Sequence, residues 1–205
     1  MMKVTKLKDV TRNRYKVYVE ERFAFVLYKG ELSHFHIKED SEITEEMYRQ
    51  IIEDVIVKRG KKRILYLLEK MARTESQIRE KMRQNYYTDE VIDEVIRYAQ
   101  GYGYIDDGNY ARMYIADKKR RKSKKEIYYD LIKKGIDKEI LQEAMGVYYR
   151  DEDSIQVIHD IAMKKGYNEI YNTEKEKQKI FAYLMRKGFA YREICQVLRV
   201  SERNA

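Results

Sequence analysis

The chain has 205 residues, with 43 Lys or Arg, 35 Asp or Glu, 20 Tyr, one Cys and no Pro. Average usage is about 5% proline, so its absence favours long helices with short connections and excludes proline-rich linkers. One cysteine excludes an internal disulfide. Because there is also no run of ~18 apolar residues for a membrane span and no apolar signal segment among the first residues, we expect a cytoplasmic protein without a membrane partner.

The first 43 residues carry a β pattern. Tyr15, Val17 and Val19 alternate with their neighbours, an apolar and aromatic run covers residues 23–28, and residues 34–37 would pair with that run as a third strand. Period-two alternation in short runs is typical of antiparallel strands. We therefore predict a small antiparallel β module at residues 1–43, which should pack on the following helices because three short strands are marginal alone.

From Thr44 the spacing of apolar residues becomes helical. Thr44 is a candidate N-cap, and Met47, Ile51, Val55 and Ile56 fall on one stripe. This pattern predicts a connecting helix over residues 44–60.

An internal repeat organises the rest of the chain. Residues 76–96 align with residues 125–145 at an offset of 49 without a gap, and a third copy follows at an offset of 53 from the second. Each copy holds two amphipathic helices and is preceded by a third, as expected of stacked helical units. The aligned residues include Ile78 with Ile127, Met82 with Leu131, and the candidate N-caps Thr74 with Ser123. We predict a mainly α protein with three tandem three-helix repeats at residues 61–104, 105–150 and 151–205.

The turns inside the repeats share a signature. A basic pair followed by glycine ends an amphipathic run at residues 133–135, 164–166 and 186–188. Glycine suits the left-handed residue after a helix, and basic groups complement the helix dipole, so capping is the favoured role of these lysines. In the first repeat Gln84-Asn85-Tyr86 stands in this place, and we predict that Asn85 adopts the left-handed conformation.

No phosphate-binding motif is complete. Gly103 and Gly108 have the spacing of a P-loop, but Asn109 and Tyr110 stand where lysine and a hydroxyl residue are required. A GxGxxG pattern also fails, because Asp106 occupies its third glycine position.

Metal and catalytic groups are equally incomplete. His34 and His36 would share one face of the predicted strand, but one further histidine and one cysteine do not make a zinc set. Asp106 or Asp107 is best explained as a helix cap, and Cys195 as a buried apolar residue. We expect no metal, no cofactor, no small-molecule substrate and no enzymatic activity.

Positive charge is concentrated in the second repeat. Residues 105–150 carry four of the eight surplus charges, and residues 117–125 read DKKRRKSKK. The run is either a solvated helix end or, as we favour, a surface for a polyanion or a protein partner. The candidate binding residues are Lys118, Lys119, Arg120, Arg121, Lys122, Lys124 and Lys125, with Lys61, Lys62 and Arg63 as a second group.

Tyrosines accompany this basic run. They are candidates for stacking on bases, although we expect most of them to fill helix interfaces. The residues concerned are Tyr110, Tyr114, Tyr128 and Tyr129.

Residues 101–112 read GYGYIDDGNYAR, and here the sequence resembles the RecX family, bacterial regulators of the RecA recombinase. The matching motif is Gly-Tyr-Ile-Asp-Asp at residues 103–107 followed by Tyr-Ala-Arg at residues 110–112. Further matches lie at residues 73–78, 133–136 and 186–191, so the resemblance covers about residues 61–200. We interpret the motif residues, Tyr104 included, as packing and capping groups. The β module resembles the N-terminal extension of RecX proteins from low-GC Gram-positive bacteria.

The resemblance implies a curved, elongated molecule that binds in the groove of the RecA–single-stranded DNA filament and restrains its growth, ATP hydrolysis and strand exchange. The implied role is regulation of recombination and DNA repair. The sequence departs from the family in its basic density at residues 118–125 and in Asn85-Tyr86, which replaces a Lys-Gly turn. The alternative is a helical-repeat protein that binds DNA or RNA directly, without RecA.

Overall fold

The computed structural model describes residues 1–200 of the chain, except for the side chain of Asp151. The chain forms two compact units, one spanning Met1–Asp106 and the other beginning at Asp107. The predicted class is confirmed, since three-helix units follow a small antiparallel sheet. The exact repeat boundaries stay a prediction, and residues 201–205 of the predicted third repeat lie outside the described residues.

Four antiparallel strands form the N-terminal sheet. They are β1 (Met2–Thr11), β2 (Arg14–Val19), β3 (Arg22–Tyr28) and β4 (Glu42–Ile43), in the order β3-β2-β1-β4. The register places Val4 opposite Val19, and Val17 opposite Phe25. The long strand β1 was not predicted, because among its residues only Val4 is fully buried and its pattern is mostly polar.

The predicted strand at residues 34–37 is wrong. Residues Lys29–His34 form the short helix α1, which starts where the Glu31 carboxylate accepts a hydrogen bond from the Tyr28 main-chain N–H. His34 ends this helix and His36 lies beyond it with φ +52°, so the two histidines do not share a strand face.

A nearly continuous helical segment connects the sheet to the first repeat. It consists of α2 (Glu45–Gln50), a π-helical stretch (Ile51–Val57) and α3 (Lys58–Lys70). Thr44 is the N-cap, as predicted, and its Oγ1 accepts the Met47 N–H at 3.1 Å. The apolar stripe of this segment shares one core with the sheet, which confirms that the β module packs on the helices.

The remaining helices complete three repeats of three helices. Helices α4 (Glu75–Arg83) and α5 (Asp89–Gly101) follow α3 in the first repeat, which lies in the first unit. The second unit contains the second repeat, with α6 (Asp107–Lys118), α7 (Lys124–Lys133) and α8 (Lys138–Tyr148), and the third, with α9 (Asp151–Lys164), α10 (Glu174–Arg186) and α11 (Tyr191–Leu198). Within residues 1–200 no helix has the length and apolar character needed to cross a bilayer.

Residues that align between repeats have the same structural role in each repeat. Ile78 and Ile127 are fully buried in their own cores, and Thr74 and Ser123 are both buried N-caps. Two separate cores serve α6–α8 and α9–α11. Cys195 on α11 is buried, as predicted.

The glycine turns also form as predicted, with one correction. Gly135, Gly166 and Gly188 have φ of +79°, +81° and +82°. In the first repeat Tyr86, not Asn85, takes the left-handed conformation with φ +64°. The offset of 49 that relates the first two repeats places Tyr86 on Gly135, while the Asn85 amide donates to the Lys81 carbonyl at 2.9 Å.

Candidate nucleic-acid and protein interface

The basic run joins two helices of the second unit. Lys118 is the last residue of α6, Ser123 is the N-cap of α7, and Lys124 begins that helix. The connection between the helices is short. The Ser123 side chain ends it by accepting the Glu126 N–H, which forms a capping box at the start of α7. Seven cations are thereby concentrated at one junction.

Three of the seven cations are neutralised by carboxylates of the same unit. Their side chains are only about a third exposed, unlike those of free surface lysines. The pairs are Lys118 with Asp117 at 2.6 Å, Lys119 with Asp153 at 3.1 Å and Lys122 with Asp130 at 2.5 Å. The pairs of Lys119 and Lys122 therefore tie the run to α9 and α7, whereas Lys118 pairs with its own neighbour on α6. All three lysines have little charge left for a partner.

Asp130 is the centre of the strongest of these contacts. Its Oδ2 accepts hydrogen bonds from Lys122 Nζ at 2.5 Å and from the Tyr114 hydroxyl at 2.8 Å. The bond from Lys122 lowers the pKa of Asp130. Burial and the hydrogen bond to Asp130 raise the pKa of Tyr114 to about 12. The carboxylate is thus charged and the phenol neutral throughout the neutral range.

The other four cations of the run are exposed. They are Arg120, Arg121, Lys124 and Lys125. Structure therefore divides the predicted site into a paired group and an exposed group, and the binding role of either group stays a prediction. We call the four exposed residues the exposed basic group.

Two members of the exposed basic group, Lys124 and Lys125, border a junction between consecutive repeats. Ser123 Oγ donates to the Lys187 carbonyl at 2.6 Å, and Lys187 Nζ donates to the Glu126 carboxylate at 2.9 Å. Beside them lies a depression of about 550 Å³. Lys124, Lys125, Tyr128, Tyr129 and Phe189 contribute to its lining. The sequence did not predict this depression, because its walls come from helices that are distant along the chain.

The second group of predicted residues lies on α3, in the first unit. Lys61 approaches Glu94 at 3.7 Å, and its ammonium lies 4.9 Å from the centre of the Tyr98 ring. Lys62 is exposed, and the guanidinium of Arg63 lies 5.5 Å from the Tyr66 ring centre. Lys61 and Arg63 therefore lie against tyrosine rings, an association that the sequence pattern does not reveal.

Most tyrosines near the basic run fill helix interfaces, as expected. Tyr110, Tyr114 and Tyr128 are partly buried against the core of α6–α8, whereas Tyr129 is 52% exposed.

The expectation that Tyr104 packs inside is wrong. Its side chain is 50% exposed, because Gly103 turns the chain with φ +70° at the end of α5. Ile105 and Ala111 are the motif residues that reach the interior. Asp107 begins α6, so Asp106 stands at the predicted capping position. A signal for the exposed tyrosine was available, since Tyr102 and Tyr104 flank the glycine of a helix-ending turn.

Comparison with known proteins agrees with this architecture. Models of the first, second and third three-helix domains of RecX match residues 61–98, 106–145 and 151–198. The protein named regulatory protein RecX of Clostridium beijerinckii is 34% identical over 205 residues, covering 97% of this chain and 95% of the relative. The same-named protein of Clostridium acetobutylicum is 32% identical, covering 92% and 90%.

Solved structures show the same fold. One titled regulatory protein RecX superposes with a TM-score of 0.65 at 22% identity, covering 97% of this chain and 99% of the other. The crystal structure of RecX from Lactobacillus salivarius superposes with a TM-score of 0.60 at 26% identity, covering 70% of this chain and 94% of the other. With three family domains in order and relatives of at least 30% identity along nearly the whole length, the chain belongs to the RecX family.

Proposed function

We propose that this chain is a cytoplasmic regulatory protein that binds the RecA–single-stranded DNA filament and mostly inhibits its growth, ATP hydrolysis and strand exchange. Recombination and DNA repair would be regulated in this way. The observation that carries the proposal is the ordered match of all three RecX domains. Relatives along the whole chain bear the name of regulatory proteins, which fits a binding role without catalysis.

The proposed mechanism is additive binding along the repeats. Each three-helix unit contributes a modest contact, and linked contacts strengthen one another through effective concentration. The exposed basic group of the second unit supplies an electrostatic contact to DNA phosphates or to acidic faces of the recombinase. Such contacts accelerate encounter and decide the orientation of binding more than they add affinity.

The direct test is RecA-catalysed ATP hydrolysis on single-stranded DNA with substoichiometric amounts of this protein. A fall in the hydrolysis rate is expected, because one bound molecule would restrain growth of a whole filament. An unchanged rate, together with strong binding to bare DNA, would overturn the proposal.

A matched pair of variants tests the site. Replacing Arg120, Arg121, Lys124 and Lys125 by Gln should weaken filament binding without lowering helix content. The control replaces four other exposed lysines, Lys6, Lys8, Lys38 and Lys175, by Gln, which removes the same net charge. Equal loss of binding in both variants would show that net charge alone matters and would refute the site.

The alternative is direct nucleic-acid binding without RecA, which the surplus of basic charge favours. It predicts tight binding to naked DNA or RNA that weakens with salt by a slope of roughly −0.7 per phosphate contact on single strands. It also predicts no effect on ATP hydrolysis by RecA at concentrations that leave the DNA mostly free of this protein.

A further inference from the structure

Three neighbouring tyrosines, Tyr98, Tyr102 and Tyr104, lie at the end of α5 and in the turn that follows it. The ring centres of Tyr98 and Tyr102 are 4.9 Å apart, and those of Tyr102 and Tyr104 are 5.8 Å apart with the ring planes inclined by only 16°. Tyr102 is 66% exposed and Tyr104 is 50% exposed. Tyr102 and Tyr104 therefore present aromatic surface to solvent instead of filling the core.

Tyr104 also lines a depression that contains a further tyrosine. Tyr66, which is 46% exposed on α3, lines it together with Lys62, Gly103 and Tyr104. Its volume is about 730 Å³, which is within the usual range for ligand sites of ~300–1,000 Å³. Leu65 and Leu68 also contribute apolar lining.

Cations surround these rings. Lys61 lies 4.9 Å from the Tyr98 ring centre, while Arg63 and Lys70 lie 5.5 Å and 4.5 Å from that of Tyr66. Lys62 lines the depression itself.

Acidic groups are fewer at this surface. Glu94 pairs with Lys61 at 3.7 Å, and Glu69 lines the depression. Against these two carboxylates stand the four cations Lys61, Lys62, Arg63 and Lys70, so the surface retains positive charge that suits a polyanion.

Aromatic faces and cations together meet the two needs of unpaired nucleic acid. Bases stack on aromatic rings whatever their sequence, and phosphates are held by basic side chains. An acidic protein segment would satisfy the cations, but it would leave the exposed ring surface of the stacked Tyr102 and Tyr104 without a further planar partner. We propose that Tyr66, Tyr98, Tyr102 and Tyr104, which we call the tyrosine row, form a base-stacking surface for single-stranded DNA in the first repeat.

This inference deepens the proposed function and rests on it for the choice of DNA, since the filament contains single-stranded DNA. The tyrosine row supplies contacts to bases, and Lys62 supplies a contact to phosphate. The exposed basic group of the second unit is a separate contact that contains no part of this row.

The experiment measures binding of the full chain to fluorescein-labelled oligothymidylate by anisotropy, beside an abasic strand of equal length. Thymidylate should bind more tightly than the abasic strand, because the latter retains the phosphates but has no bases. Tyr102→Ala with Tyr104→Ala should weaken thymidylate binding by about tenfold or more and leave abasic binding nearly unchanged. Equal affinity for the two strands would overturn the proposal.

Three further variants separate stacking from other effects. Tyr102→Phe with Tyr104→Phe should retain binding, since the aromatic faces remain. Tyr171→Ala removes a tyrosine that is 81% exposed in the third repeat and should have no effect. Lys62→Gln should reduce the slope of log affinity against log salt by about 0.7. Loss of binding in the Phe variant, an equal loss with Tyr171→Ala or an unchanged slope for Lys62→Gln would contradict the assignment.

Measurements of oligouridylate binding and of RecA inhibition distinguish this inference from the proposed function. Tighter binding of oligouridylate than of oligothymidylate would overturn the choice of DNA. Inhibition of RecA that persists while the alanine variants bind thymidylate normally would overturn the tyrosine row alone. Conversely, base-dependent binding without any effect on RecA would support the row and overturn the proposed function.

Discussion

Ser123 Oγ donates a 2.6 Å hydrogen bond to the main-chain carbonyl of Lys187, 64 residues later in the chain. The same oxygen accepts the Glu126 N–H at 3.1 Å as the N-cap of α7. One buried hydroxyl therefore starts a helix of the second repeat and holds the turn of the third. The cap is local in sequence, whereas the bond to Lys187 joins the two repeats.

Ser123→Ala should be more destabilising than the loss of an ordinary cap. It removes the cap, worth about 1 kcal/mol, and leaves a partly buried carbonyl without its donor, which costs a further ~1–3 kcal/mol. The control is Thr173→Ala, which removes the exposed N-cap of α10. Urea unfolding measures both, and equal losses would show that the bond to Lys187 contributes nothing.

Gly188→Ala should destabilise the junction between repeats more than Gly166→Ala does. Both glycines have φ near +80°, so alanine pays a similar backbone cost of ~1–2 kcal/mol at each. A Cβ at Gly188 would lie 3.0 Å from Lys125 Cβ, whereas Gly166 has open space around it. The difference between the two free energies of unfolding measures the contact with Lys125, and its absence would contradict the close packing seen here.

The stability of the second unit should fall in acid partly through Asp130. Its pKa is lowered from the ordinary value of 3.8 by Lys122, so the folded state binds the proton less readily than the unfolded state. The contribution is complete above that ordinary value and is lost as pH falls through the folded-state pKa. Thermal unfolding from pH 7 to pH 2 should show Asp130→Asn less stable at neutral pH, with the gap closing as pH falls below 3.8.

A control with a largely exposed carboxylate checks the pH effect. Asp40→Asn removes the surface partner of Lys3; the Asp40 side chain is 79% exposed and that of Lys3 is 54% exposed. Surface pairs of this kind are worth little, so a small gap from the native chain is expected at every pH. A constant gap for Asp130→Asn would show that its ionisation is not coupled to folding.

Arg59→Leu should loosen the contact between α3 and the sheet. Arg59 donates to the Val26 carbonyl at 2.9 Å and pairs with the Glu31 carboxylate, and its guanidinium lies 4.7 Å from the Tyr28 ring centre. Loss of the donor should cost about 1–3 kcal/mol, measured by urea unfolding of the full chain.

The matched control for Arg59 is another arginine of the same helical segment. Arg49 pairs with Glu45 at 3.5 Å while both side chains remain well exposed. Arg49→Leu should change the free energy of unfolding by less than ~1 kcal/mol. A comparable effect of the two substitutions would refute the special role of Arg59.

Features determined by short stretches of sequence were predictable. The N-caps Thr44, Thr74 and Ser123 and the left-handed Gly135 depend on neighbours within one helical turn. Residue type alone did not identify the left-handed residue of the first repeat correctly. Residue type favours Asn85 for the left-handed conformation because asparagine tolerates it, yet the repeat register places Tyr86 there.

Features that depend on distant partners were not predictable. β1 is mostly polar, and it becomes part of the sheet only through its pairing with β2 and β4. The seven cations of residues 118–125 look alike in sequence. Asp117 is adjacent to them, but Asp130 and Asp153 come from other helices and neutralise Lys122 and Lys119.

The three-helix repeats, their caps and turns, and the location of the surplus charge can be predicted from the sequence, because they follow from periodicity, local hydrogen bonding and composition. Which cations are exposed and which tyrosines face solvent is apparent from the folded chain alone. Burial and ion pairing depend on side chains that folding brings together from distant positions, as Tyr66 and Tyr104 show at their shared depression.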